Sequence, residues 1–338
     1  MQIEQVIRRF GARISAGFAS LLHPSMQAGP PIDWRLRPDR ATFIRLGIAA
    51  VIAVVLYYLL GALWNHKIDD DPRFTAAKQW TVEGGSITVS VATSLLDREV
   101  NHNGWVANAP FYLPTALLHN MASYQTGIVQ AVLAFTEAVS QGLAARGAPS
   151  VDLAETVTRL RKRPDVWSWS LSEPLGYLGN SQADYSEGLL DLNGYNVALA
   201  DHTSQFPHEP AMLALILARF SHDLDEAARA LEIEADFRPF LLSRRIGDAF
   251  YRARGLAYCD AMLMRGLHND FAAVITERKL EAQWAAAEAA LMRAANFSPL
   301  FVVNGAPANV MFPAHPLAMG YFALAARSDL HGVIAVLN

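Results

Sequence analysis

"PAMLALILARFSHDLDEAARAL", residues 210–231, places Leu213, Leu217, Phe220, Leu224, Ala227 and Leu231 at alternating spacings of four and three. That interval follows the 3.6-residue turn of an α-helix, so all six side chains fall on one face. A half-buried strand would instead alternate every second residue. The same stripe runs through Leu117, Met121, Tyr124, Ile128, Val132, Phe135 and Val139, and again through Leu280, Trp284, Ala287, Leu291 and Ala294. Such faces leave water only by packing on one another. The spacing therefore predicts an all-α domain of about six to eight antiparallel helices.

The punctuation agrees with the stripes. Gly147-Ala148-Pro149 stops the first long helix, Ser150 with Asp152 opens the next, and Phe206-Pro207 with Pro210 separates two more. The one strand-like alternation is "SITVSV", 86–91. Ser86 as an N-cap and the following "SLLDREV" favour reading it as a helix start. The break at 164–188 is long for a helix connection and marks a possible division into two lobes. Trp167, Trp169 and Tyr177, together with Tyr185, make it an aromatic loop able to fold onto the bundle.

Composition adds a second element. Hydrophobic residues make up 52% of the 338-residue chain and charged residues only 18%, an apolar excess for a domain with only a core to fill. The excess sits in "LGIAAVIAVVLYYLLGALW", 46–64, which has no charged residue. At about 1.5 Å per residue this nearly matches a hydrocarbon layer about 30 Å thick. Residues 43–65 are thus expected to form a single transmembrane helix, with Tyr57, Tyr58 and Trp64 at the headgroup level as membrane anchors. The run begins too late for a cleaved signal peptide. It also stands too far from Arg8-Arg9 for a twin-arginine export signal.

Residues 1–45 hold seven arginines against three acidic residues, a net of +4, which leaves −8 for the rest of the chain. Lys67 and then Asp69, Asp70 and Asp71 follow the span. The bias predicts a cytoplasmic N-terminal segment over 1–42 and a periplasmic domain over 74–338, in a bacterial inner membrane. Ile3, Val6, Ile7, Phe10, Ile14, Phe18, Leu21 and Leu22 share one helical face. They suit an amphipathic helix lying on an anionic leaflet, with an organellar transit peptide as the alternative. Cys259 stands alone and is expected to be a buried small hydrophobe.

Catalytic signals are sparse. Asp201-His202, His208-Glu209 and His222-Asp223 pair histidine with carboxylate, but neighbours on a helix point about 100° apart and an i, i+4 zinc pair is absent. Solvated helix ends account for them. No nucleophile elbow, phosphate loop or dinucleotide fingerprint occurs, so no cofactor or metal is expected and catalytic residues stay unassigned. Glu173 or Glu187 would be the acids of a glycosidase, were there one. The acidic balance, relieved only by "RLRKRP" at 159–164, argues against a nucleic-acid partner. That basic run reads as a solvated helix terminus.

"HNGWVANAPFYLP", 102–114, is uncharged apart from its histidine and carries Trp105, Phe111 and Tyr112 between helix breakers. Pro114 suits the first turn of the helix continued by Leu117 and Met121. The aromatic group is expected either to close the end of the core or to dock a partner.

The N-terminal span, "LLDREVNHNGWVANAPFYLPTALLHNMASYQTGI" at 95–128 and "HPLAMGYFALAARSDL" at 315–330 together resemble a proteobacterial family of single-span inner-membrane proteins known only as a domain of unknown function. The likeness covers most of the chain and implies no activity. Two readings follow: a structural or adaptor subunit of an envelope complex, binding the bilayer and other membrane or periplasmic proteins, or an anchored hydrolase of peptidoglycan or lipid using a carboxylate or His–carboxylate site.

Overall fold

The computed structural model describes residues 40–166, 180–236, 243–305 and 313–338. The N-terminal amphipathic segment and Trp167, Trp169, Glu173 and Tyr177 lie outside the described residues. The chain falls into two compact units divided between Val54 and Val55. Among the described residues the structure is all-α: ten helices, no strand, and one isolated bridge between Asn304 and Ala314.

Helix α1 spans Arg40–Asn65 and buries no residue. It and α3 (His119–Ala145) are the two helices long and apolar enough to cross a membrane among the described residues, and 61% of the apolar window of α3 is buried inside the protein. Helix α3 is thus accounted for by the core, whereas α1 has no such account. After α1 come α2 (Ile87–Asp97), α3, α4 (Val151–Leu160), α5 (Ser181–Ala200), α6 (Pro210–Asp236), α7 (Arg244–Asp270), α8 (Ala272–Glu277), α9 (Glu281–Asn296) and α10 (His315–Leu337). These nine exceed the expected six to eight because a single residue, Phe271, splits the six-residue α8 from the end of α7.

Of the stripe in 210–231, five positions are buried and Ala227 packs partly buried against them. The stripe of α3 holds from Met121 onward, but Leu117 is exposed. The chain kinks at Leu118, so Pro114–Leu117 forms a separate 3-10 turn rather than the first turn of the helix. Residues on both sides of the 164–188 break, among them Leu153, Leu189 and Leu192, share one core.

"SITVSV" is helical, and the reason lies partly outside the local sequence. Ser86 caps α2 by accepting the Val89 N–H at 3.1 Å. Asp270, at the end of α7, accepts the Ile87 and Thr88 N–H groups, each at 3.0 Å, and the Ser86 and Thr88 hydroxyls at 2.6 and 2.7 Å. Four donors at a positive helix end outweigh the strand preference of the β-branched residues.

Helices α3 and α7 cross with their backbones nearly touching. A Cβ on Gly127 would run into the Arg252 carbonyl, and one on Gly255 into that of Tyr124. Gly255→Ala gains about 1 kcal/mol of helix propensity, yet the backbone it meets has no free rotamer to move, and overpacking of this kind costs about 1–3 kcal/mol or more. The variant should lower the thermal midpoint; an unchanged or raised midpoint would mean a looser crossing.

Candidate functional site

A polar cluster is built where α2 ends. Arg98–His102 forms one π-turn, closed by the Asn103 N–H donating to the Arg98 carbonyl at 2.8 Å. The wider turn places Arg98 and Glu99 against the core instead of in solvent. Glu99 is fully buried and the Arg98 side chain only 10% exposed. Arg98 Nε donates to Glu99 Oε1 at 2.8 Å and its Nη1 to the Tyr258 hydroxyl at 3.0 Å. Its guanidinium also lies 4.9 Å from the Phe74 ring centre and 5.2 Å from that of Tyr258. Burial pushes the Glu99 carboxyl up, and Arg98 beside it pulls part of the way back.

This cluster receives the chain that leaves α1. Asp69 pairs with Arg98 at 3.6 Å, and Asp70 with Arg254, which is itself 4% exposed and donates through Nε to the Ala295 carbonyl at 2.8 Å. Successive backbone carbonyls are held as well: that of Asp69 by the Tyr124 hydroxyl at 3.0 Å, that of Asp71 by the Tyr258 hydroxyl at 3.0 Å, and that of Pro72 by Arg265. Ile68 and Phe74 pack on the core at either end. Residues 68–74 therefore sit in the bundle like a bound acidic peptide, gripped by side-chain charge and by backbone at once. Asp97 extends the hold, accepting the side-chain N–H groups of Gln79 at 2.9 Å and Trp80 at 2.8 Å. Burial drives the Tyr258 hydroxyl up to about 12, so it stays a donor throughout the physiological range.

The aromatic stretch 102–114 divides by residue. Trp105 is 5% exposed, stacks edge-on against Tyr185 at 4.9 Å and donates Nε1–H to the Pro164 carbonyl at 2.9 Å. Phe111 and Tyr112 point outward, 85% and 47% exposed, beside Tyr57 and Tyr58. Trp64 is exposed on α1.

The histidine–carboxylate pairs do not converge on a single point. His202, His208 and Glu209 line one open recess of about 410 Å³ with Ser86 and Arg146. Glu209 is paired to Arg146 at 2.5 Å, Ser86 donates to Asp270, and the His208 ring sits against Phe206 and Phe271. His222, Asp223 and Glu226 bring ligand atoms within 4.8 Å of one another on α6, a spacing a cation would tolerate, but His222 and Glu226 pair with each other at 3.4 Å. Glu187 is bonded to Arg159, which also holds Asp191 at 2.7 Å. The "RLRKRP" run is thus ion-paired rather than merely solvated: Arg161 meets Glu137 at 2.7 Å and Lys162 meets Asp184 at 2.5 Å.

Two acids are buried with no ion pair among the described residues. Asp260 on α7 has both oxygens buried and unbonded, and burial, with the charge of Asp223 adding to it, pushes its carboxyl well above the usual range. Asp223 is raised to about 6, first by burial and then by Glu226, with His222 and Arg219 opposing. A carboxyl whose folded pKa exceeds its unfolded value stabilises the fold when protonated, so that contribution is lost as pH rises from about 4 through 6. Asp223→Asn should flatten this part of the stability–pH curve and be the more stable protein at pH 7.5, by about 3 kcal/mol at most. Chemical denaturation at pH 4.5 and 7.5 checks it; parallel curves for both proteins would contradict it.

No protein-family model, curated protein or solved structure matches the chain. Sequence reasoning missed Arg98, Glu99, Tyr124, Arg254 and Tyr258, and took Asp69–Asp71 only as flanking charge. A usable signal existed: Arg98-Glu99 and Asp260 interrupt otherwise apolar helical stretches, where a charge needs a partner or a proton.

Proposed function

We propose that the chain is a single-span protein of a bacterial inner membrane, N-terminus in the cytoplasm, whose helical domain serves as a structural or adaptor subunit on the periplasmic side. The clamp on residues 68–74 carries this reading. A tethered enzyme needs only a linker, whereas here two buried arginines, two buried tyrosines and Arg265 fix the segment that follows α1. A fixed rather than slack segment at this place is what a load-bearing or scaffolding subunit requires. The Lys/Arg bias across the span supports the orientation.

The hydrolase reading ranks second because the acid, hydroxyl and cation of the His202–His208 recess are engaged with protein groups. Purification from native membranes in mild detergent separates the two. A stoichiometric envelope protein that survives a salt wash is the expected result; a solitary species at every expression level would favour the enzyme. For the anchor, Leu56→Arg near the middle of the span should cost about 2.5–3.5 kcal/mol of insertion free energy. The variant should leave the membrane fraction or lose its orientation by protease protection. Retention in both assays would contradict α1 as the anchor.

A further inference from the structure

No Asp, Glu, Lys or Arg stands between Glu99 and Glu137. Within that run Phe111 and Tyr112 are exposed side by side, their ring centres 5.7 Å apart, and Leu117 is exposed as well, apolar surface that water alone does not favour. Its position is fixed by α1. The Tyr58 hydroxyl donates to the Phe111 carbonyl at 2.8 Å and the Tyr57 hydroxyl to that of Tyr112 at 3.3 Å, while Pro114 packs so closely on Gly61 that a Cβ there would collide with its ring. Tyr57 and Tyr58 lie eight and seven residues before the end of the helix at Asn65. At the helical rise that is about 10–12 Å back along the axis, level with residues of the uncharged stretch.

The backbone of this loop is prepared for a medium with little water. Pro110 and Pro114 have no N–H to satisfy. The Leu113 N–H donates to the Pro110 carbonyl at 2.9 Å, that of Ala116 to Leu113 at 3.1 Å and that of Leu118 to Thr115 at 3.0 Å. With the carbonyls of Phe111 and Tyr112 taken by tyrosine hydroxyls, these groups carry none of the polar cost that bars irregular backbone from lipid. We propose that Pro110–Leu113 dips into the headgroup boundary of the bilayer, with Phe111 as its lipid-facing side chain. The inference rests on the reading of α1 as a membrane span. It gives the domain a second membrane contact beside its anchor, which complements the clamp by fixing rotation about the helix axis.

The test uses the full chain in phosphatidylcholine–phosphatidylglycerol vesicles, with an NBD fluorophore on Phe111→Cys or, separately, on Leu56→Cys. The native Cys259 is fully buried, and burial raises its thiol pKa well above the ordinary value, so labelling of the folded protein is confined to the introduced site. Quenching by lipids with a shallow or a deep doxyl group is compared with quenching by iodide in the water. The expected pattern is deep-lipid quenching at position 56, and at position 111 a blue-shifted emission quenched chiefly by shallow lipid and little by iodide. Iodide quenching at 111 with lipid quenching at 56 would overturn the loop contact while leaving the span intact. A probe at 111 shielded from both quenchers would also overturn it, in favour of a covering protein. Iodide access at 56 would remove the span itself, and the inference with it.

Discussion

Replacing Arg98 by Met should destabilise the domain by about 3–5 kcal/mol, the cost of stranding one member of a buried ion pair. Glu99 beneath it has no exposure, and the substitution also takes the donor from the Tyr258 hydroxyl and the cation from Asp69. The carboxyl, already pushed up by burial, then loses its main restraint. Because a raised carboxyl pKa favours the folded state only below it, the variant should weaken further as pH rises, with its loss smallest in acid. Arg98→Met/Glu99→Gln should recover a large part of the deficit, since no charge is left buried. Urea unfolding of the three proteins measures this. A loss under about 1 kcal/mol for the single variant would show that Arg98 is solvated, as an ordinary surface pair is.

Trp105→Ala should cost a similar amount, about 3–5 kcal/mol, the usual range for deleting a large buried aromatic. The ring fills the end of the core against Tyr185, and its N–H satisfies the Pro164 carbonyl. Phe111→Ala, by contrast, should leave thermal unfolding within about 0.5 kcal/mol, because its ring is exposed. Equal losses in the two variants would mean that the stretch 102–114 acts as one packed unit.

The all-α fold was legible because a buried helix face writes its period into the sequence, as the stripe of 210–231 does. The Ser86 cap was legible for the same local reason. The role of Asp270 at the start of α2 was not, since the residues it binds are more than 180 positions away. The clamp was hidden for a similar reason. Asp69–Asp71 look like flanking charges until the fold brings Arg98, Arg254 and Arg265 from α7 and the end of α2 around them. The kink at Leu118 escaped notice because Leu117 keeps the period of α3 although it belongs to a separate turn. The uncharged character of 102–114 was plain, but its division between core and surface depends on which neighbours each ring meets.

Residues 68–74 form a docked joint and not a linker. Hydrogen exchange of the peptides covering 66–80, followed by mass spectrometry on the full chain in detergent, tests it most directly. The amide hydrogens of Lys67, Asp71, Arg73 and Phe74 are bonded within the folded protein. This segment should exchange at least tenfold more slowly than an unprotected peptide, and Arg254→Ala should remove the protection locally. Complete exchange at the shortest labelling time, unchanged by Arg254→Ala, would contradict it.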